Sequence, residues 1–405
     1  MTQDKEAKPG RQLLITNEMR IGIRQWAIVV AIVTLMAVAT PRLWKRIERF
    51  DIGADYRIPY QLSNDYWLFD WRLQKTAGAK PIVVLGDSVV WGEYVKSDAT
   101  LPHFLNQQAG SPDKFVNAGV NGLFPLALEG LVRYYGAALH DRKAILVCNV
   151  LWLSSPKADM QDDKAEDINH ASLVPQFFPR VPCYQVDVRA RLSAVIGRNV
   201  AFPGWVEHLQ DAYFQQQSIL QWTLDEGPDR PGNYPNTYKD PLAQITLAVP
   251  SGQGDDADRG PGSRRHKPWT AGGPRKTEFE WVQLQSSLQW AAFQRSVELL
   301  RSRGNDVLVI VAPFNEHMIA DGCLGGYRAI RAGIAAWLEE NRLPHVVPEA
   351  LPSELYADAS HPLTAGYALL ARRIGQAEAF RKWMQEASSG NSRYLARNVA
   401  NISDN

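Results

Sequence analysis

Apolar residues are arranged along this chain in two distinct ways. Residues 26–39, WAIVVAIVTLMAVA, carry no charge and no polar stripe, and they are bracketed by Arg20 and Arg24 on one side and Arg42, Lys45, Arg46 and Arg49 on the other. The strictly apolar run is shorter than the roughly 20 residues a spanning helix needs, but Ile21, Ile23, Leu43 and Trp44 extend it and the arginines can snorkel to headgroups. This predicts an N-terminal transmembrane anchor over 21–44. Two other readings fit the same stretch: a cleaved signal peptide, since Ala37-Val38-Ala39 has the form of a cleavage site, and a buried core helix. Lys and Arg are abundant on both sides, so the positive-inside rule does not orient the anchor.

Beyond the anchor the apolar residues come in short, unalternated runs. These are 82–85 (IVVL), 144–150 (AILVCNV) and 306–312 (DVLVIVA), with further strands predicted at 114–117 and 344–347. A strand without polar alternation is covered on both faces. Helices are predicted over 64–74, 125–139, 205–224, 277–303 and 362–380. Strands alternating with helices imply an α/β fold with a parallel sheet and helices on both of its faces.

The pattern divides the chain into an N-terminal tail (1–20), the anchor (21–44), an aromatic-rich membrane-proximal lead-in (45–80), a main domain (81–385) and a C-terminal tail (386–405). The main domain contains an insertion at about 155–276, which breaks the strand–helix rhythm. Within it, 250–276 is dense in Gly, Pro, Asp and Arg and predicts a mobile loop. Insertions of this kind often shape a binding face.

Composition narrows the functional classes. The 405 residues include 44 Lys+Arg against 43 Asp+Glu and are 45% hydrophobic, which excludes global disorder. Near-zero net charge, with no basic run interleaved with aromatics, argues against a nucleic-acid partner. Cys148, Cys183 and Cys323 are too few and too scattered for a disulfide scaffold or a zinc site, and at most one bridge, such as Cys183–Cys323, is open to them.

Three segments carry candidate chemistry. Gly86-Asp87-Ser88 directly follows the first predicted strand, and in a parallel sheet the carboxyl ends of the strands are where turns expose side chains and aim backbone N–H groups at a ligand. A serine there is a nucleophile or simply a helix N-cap. Asp358-Ala359-Ser360-His361-Pro362 places a carboxylate three residues before an imidazole. At a turn it can reach Nδ1 and leave Nε2 to take a proton from a hydroxyl; alternatively Asp358 caps the following helix and His361 is a surface residue. Asn117-Ala118-Gly119-Val120-Asn121-Gly122 marks a turn, or a turn whose N–H groups can bind negative charge on a tetrahedral intermediate.

Taken together, the strand followed by GDS, the N-x-G-x-x-G run and the D-x-x-H-P near the end resemble the SGNH/GDSL hydrolase family over residues 82–371, the insertion excepted. The resemblance implies a three-layer α/β/α sandwich with a flavodoxin-like parallel sheet. It implies Ser88 as nucleophile, His361 as general base and Asp358 as its orienting carboxylate. The oxyanion hole would be formed by the N–H groups of Ser88 and Gly119, together with the side chain of Asn149. The family's G-x-N-D block departs here to Val147-Cys148-Asn149-Val150, with neither the Gly nor the Asp. Asn315 and His317, after the fourth predicted strand, are expected to line the pocket. Glu316 and His317 form no metal motif, and no cofactor is implied.

The expected activity is ester hydrolysis through an acyl-enzyme, on an O-acylated glycan or lipid ester of the cell envelope, with the domain on the extracytoplasmic side. The alternatives are O-acyl transfer to an envelope polysaccharide and a degenerate, non-catalytic glycan-binding or scaffold protein. Anchored relatives that acetylate exopolysaccharides usually carry D-x-H, and the D-x-x-H spacing here favours the esterase.

Overall fold

The computed structural model describes residues 22–53, 55–224, 239–251, 267–273 and 275–386. Both predicted tails therefore lie outside it almost entirely, as does most of the predicted loop, at residues 252–266 and 274. Helix α1, Ile23–Ile47, is long and apolar enough to cross a membrane, and it continues without a break through Ala37-Val38-Ala39 and past a buried Pro41.

Five strands follow the anticipated order: β1 (Ile82–Gly86), β2 (Phe115–Gly119), β3 (Lys143–Cys148), β4 (Asp306–Val311) and β5 (His345–Val346). All four pairings are parallel and the spatial order is β2-β1-β3-β4-β5. The order reverses between β1 and its two neighbours, which is where a doubly wound sheet opens its ligand crevice.

The unalternated strands are buried on both sides. Val83 and Leu85 enter one core with helices α2 (Tyr66–Thr76), α5 (Pro125–Tyr135), α10 (Leu288–Ser302) and α11 (Leu324–Glu340). Ile82 and Val84 enter a second core with α3 (Ser88–Trp91), α4 (Leu101–Ala109), α12 (Thr364–Gln376) and α13 (Glu378–Gln385). The arrangement is consistent with a three-layer sandwich. Four further helices, α6 (Val188–Asn199), α7 (Ala201–Tyr213), α8 (Ile219–Leu224) and α9 (Pro241–Gln244), belong to the insertion.

Several elements differ from expectation. The helix predicted over 277–303 begins only at Leu288. Ser287 caps it through Trp290 N, and the buried Asp159 accepts from Leu288 N and Gln289 N at 2.9 and 3.1 Å. Residues upstream run instead as a strap, Val282 N donating to Leu153 O and Thr277 bridging to Ile319. The aromatic lead-in is part of the first core, with Tyr66, Trp67, Phe69 and Trp71 all buried. Cys148, Cys183 and Cys323 are all free thiols, so the Cys183–Cys323 bridge does not form.

The base of α1 is fastened by a buried polar knot. His208 on α7 faces Asp65 through Nδ1 at 2.6 Å and Glu48 through Nε2 at 3.0 Å, all three being inaccessible to solvent, and Tyr213 donates to Glu48. Burial alone would lower the His208 pKa, but Asp65 and Glu48 outweigh it and hold the imidazole protonated, pushed up to about 10.

Candidate active site

The turn after β1 sets Ser88 in place. Asp87 caps α3 by accepting from Val89 N at 2.9 Å, so Ser88 becomes the first helical residue. Its amide has no acceptor within the helix. The turn is clamped from the lead-in by the buried Arg57, whose guanidinium donates to the carbonyls of Trp91, Gly92 and Val95 and lies 3.9 Å over the Trp91 ring. Gly92 ends α3 at φ 93°, where a Cβ would lie 2.5 Å from Thr100 and 2.9 Å from Arg57.

Ser88 and His361 are 273 positions apart in sequence, yet Ser88 Oγ lies 2.8 Å from His361 Nε2. Behind the ring, His361 Nδ1 is 2.8 Å from both carboxylate oxygens of Asp358. Asp358 is itself held, accepting from the backbone N–H groups of Ser360 and His361 at 2.9 and 3.0 Å. Its three-residue spacing thus closes a turn that points carboxylate and ring at each other. Ser88 and His361 are both buried.

The electrostatics are coherent across the pair. Burial opposes charge on His361, but Asp358 beside it, with Asp87 and Glu93 contributing, raises its pKa above the ordinary 6.5. Burial pushes Asp358 up, and the imidazole together with the two backbone N–H groups reverses this, leaving it below the ordinary carboxylate value. Tyr94 meets the His361 ring edge-on at 5.5 Å, from a left-handed backbone with φ 63° that is uncommon for a non-glycine residue.

The three expected oxyanion groups differ in state. The Ser88 N–H heads α3, as the motif requires. The Gly119 N–H is not available, because it donates to Asn117 Oδ1 at 3.0 Å. Gly119 serves packing instead: a Cβ there would sit 2.3 Å from Trp91 N. Asn149 is buried next to the site, with Nδ2 donating to Asp87 Oδ2 at 2.7 Å and Oδ1 accepting from Leu151 N. Gly122, at φ 71° in the turn after β2, has an N–H without a partner among the described residues. Its neighbour Asn121 hydrogen-bonds Glu93.

Asn315 and His317, expected as pocket residues, differ in burial. Asn315 is fully buried behind the D-x-x-H turn, donating to Asp358 O at 3.1 Å through Nδ2 and to Ala359 O at 2.8 Å through its backbone N–H. His317 is exposed and bonds Leu351 O at 3.1 Å. Beside Asp87 lies a narrow hollow walled by Leu123, Phe124, Val147, Asn149, Trp152 and Phe293. Trp152 is fixed there by its Nε1 donating to Asp87 Oδ2 at 2.8 Å.

Arg57 and Trp152 carried no sequence signal as site residues, since each reaches the site through tertiary packing, and Glu93 and Tyr94 follow Ser88 in the same local turn, Glu93 N donating to Ser88 O at 3.0 Å, without belonging to a motif. Among the described residues no group of three His, Cys, Asp or Glu side chains is arranged to hold a metal ion. No family model matches the chain, and a search of curated proteins finds no match.

Proposed function

We propose that the protein is a membrane-anchored serine ester hydrolase of the SGNH/GDSL type. The observation that carries this reading is the unbroken Ser88–His361–Asp358 hydrogen-bond chain at the carboxyl edge of a parallel sheet. Ser88 Oγ attacks the acyl carbonyl while His361 Nε2 takes its proton. Asp358 keeps the ring in the tautomer with Nδ1 protonated and stabilises the imidazolium that forms. Collapse of the tetrahedral intermediate passes that proton to the departing alcohol, and water then resolves the acyl-enzyme by the same route.

Negative charge on the intermediate is met by the Ser88 N–H. The Asn149 Nδ2 hydrogen not engaged by Asp87 supplies a second donor, and the Gly122 N–H takes the role first expected of Gly119. Each such donor is worth about 10² to 10³ in rate. The substrate class we assign is an O-acylated glycan or lipid ester of the cell envelope, with the domain on the extracytoplasmic side.

Acyl transfer to a sugar hydroxyl shares the first half of this mechanism. The test is turnover of a chromogenic acetyl ester by the full-length protein in detergent, with and without a sugar acceptor. Hydrolysis that an acceptor leaves unchanged supports the esterase, and acylated sugar formed at the expense of free acid replaces it with a transferase.

A further inference from the structure

Helix α6 of the insertion is built the wrong way round for a surface helix in water. A helix on a water-facing surface buries its apolar stripe and exposes its charges. Here Val188, Leu192, Ile196 and the following Val200, spaced four apart, are 45% to 64% exposed, and no residue of the helix is buried. Two of its arginines face the protein instead. Arg191 donates to the carbonyls of Gln176 and Tyr184, while Arg198 donates to Val174 O and lies 4.5 Å over the Tyr134 ring. Phe178, in the segment those arginines hold, is 92% exposed.

The position of α6 relative to α1 names what covers this stripe. The wholly exposed part of α1, residues 23–36, covers only about 21 Å at 1.5 Å per residue, against about 30 Å of hydrocarbon. Completing a span therefore takes the next turns as well, and there Ala37, Ala39 and Thr40 are half-buried and Pro41 is buried against the domain. Helix α7 packs along α1, with Trp205 edge-on to Trp44 at 5.5 Å, and α6 packs on α7. The same layer continues through α8 and α9. The segment after α9 pairs with the base of α1, Arg49 N donating to Leu247 O and Val249 N to Arg49 O, and Leu220, Leu224 and Leu242 are all exposed. The insertion thus packs on the base of α1, and among its exposed side chains are the aliphatic Val188, Leu192, Ile196, Val200, Leu220, Leu224 and Leu242.

We propose that the insertion, with α6 as its principal element, rests in the headgroup–acyl boundary of the bilayer that α1 crosses. The proposal depends on α1 spanning that bilayer. In this position Val188, Leu192, Ile196, Val200 and Phe178 enter the apolar boundary, and the exposed Arg189 faces lipid phosphates. The domain is then held in a fixed orientation rather than tethered loosely. Nine residues lead from Glu48 to Arg57, which grips the Ser88 turn, so the nucleophile is kept within roughly 30 Å of the anchor's base plus the reach of that side chain.

The test uses the full chain, carrying Cys323→Ser, in proteoliposomes of phosphatidylcholine and phosphatidylglycerol. The two remaining native thiols are buried. Single cysteines introduced as Leu192→Cys, Ile196→Cys, Val33→Cys in the anchor and Gln107→Cys on α4 are labelled with a polarity-sensitive fluorophore and exposed, in separate vesicles, to lipids brominated near the acyl carbonyl, which report on 192, 196 and 107, and near the chain end, which report on 33. All four positions are exposed, so the substitutions do not disturb a core. The expected result is a blue shift and loss of intensity at 192, 196 and 33, with position 107 unaffected. Quenching at 33 without quenching at 192 and 196 overturns the proposal alone. No quenching at 33 overturns the spanning reading of α1 and the proposal with it.

Discussion

The carboxylate of Asp358 does two jobs that can be measured separately. It orients the His361 ring, and it raises the pKa of that ring against the effect of burial. A general base must be neutral to accept a proton, so activity rises with pH as His361 deprotonates, and the midpoint of that limb is expected above the ordinary 6.5. Asp358→Asn removes the charge, so the midpoint moves to lower pH while kcat falls by about 10³- to 10⁴-fold through loss of the correct tautomer. A pH–rate profile of both proteins checks both effects. Gly119 makes a different prediction. Gly119→Ala places a methyl 2.3 Å from Trp91 N, and overpacking against backbone costs about 1 to 3 kcal/mol, so urea unfolding should shift to lower denaturant. The meeting of Asp358 with His361 was legible because they share one turn, and the place of Ser88 at a strand's carboxyl end because GDS follows an apolar strand. Arg57 and Trp152 were not, since nothing local places a lead-in arginine on the Ser88 turn or an indole N–H on Asp87.

Elements were readable where burial on both faces left an unmixed apolar run, as in β1, β3 and β4. They were unreadable where glycine or a distant cap set the conformation. Helix α11 escapes the pattern because Gly326 and Gly333 interrupt it, yet both are there to admit the strap: a Cβ at Gly326 would lie 2.9 Å from the Trp281 ring, and one at Gly333 2.7 Å from Leu284. The start of α10 depends on Asp159, more than a hundred residues upstream in the insertion. Helix α7 carries its own pH dependence. Burial, with the charges of Asp65 and Glu207, pushes Asp211 from the ordinary 3.8 up to about 7. A carboxyl whose folded pKa is raised favours the folded state below its unfolded pKa, and that advantage is lost as pH rises through the folded value. The thermal midpoint is therefore expected to fall across pH 4 to 7 by this group's contribution, and Asp211→Asn should flatten that part of the curve. In the knot beside it, His208→Ala leaves Glu48 and Asp65 buried without their cation and is expected to cost about 3 to 5 kcal/mol in denaturant unfolding.

At the scale of the whole molecule, helix α1, the lead-in and the insertion form one connected path to Ser88: α1 is knotted to α7 through Glu48 and His208, and the lead-in reaches the Ser88 turn through Arg57. Helix α1, long and apolar enough to cross a membrane, was legible as an uncharged stretch between arginines. Its attachment was not, because Glu48, Asp65 and His208 become neighbours only once α1, α2 and α7 are packed. The central claim is that Ser88 is an activated nucleophile, and a fluorophosphonate probe combined with acetyl-ester turnover on the full-length protein tests it most directly. Wild type should be labelled and active, whereas Ser88→Ala should lose the label and at least about 10³-fold in kcat. Equal turnover by the two proteins, or labelling that survives the substitution, would contradict the account.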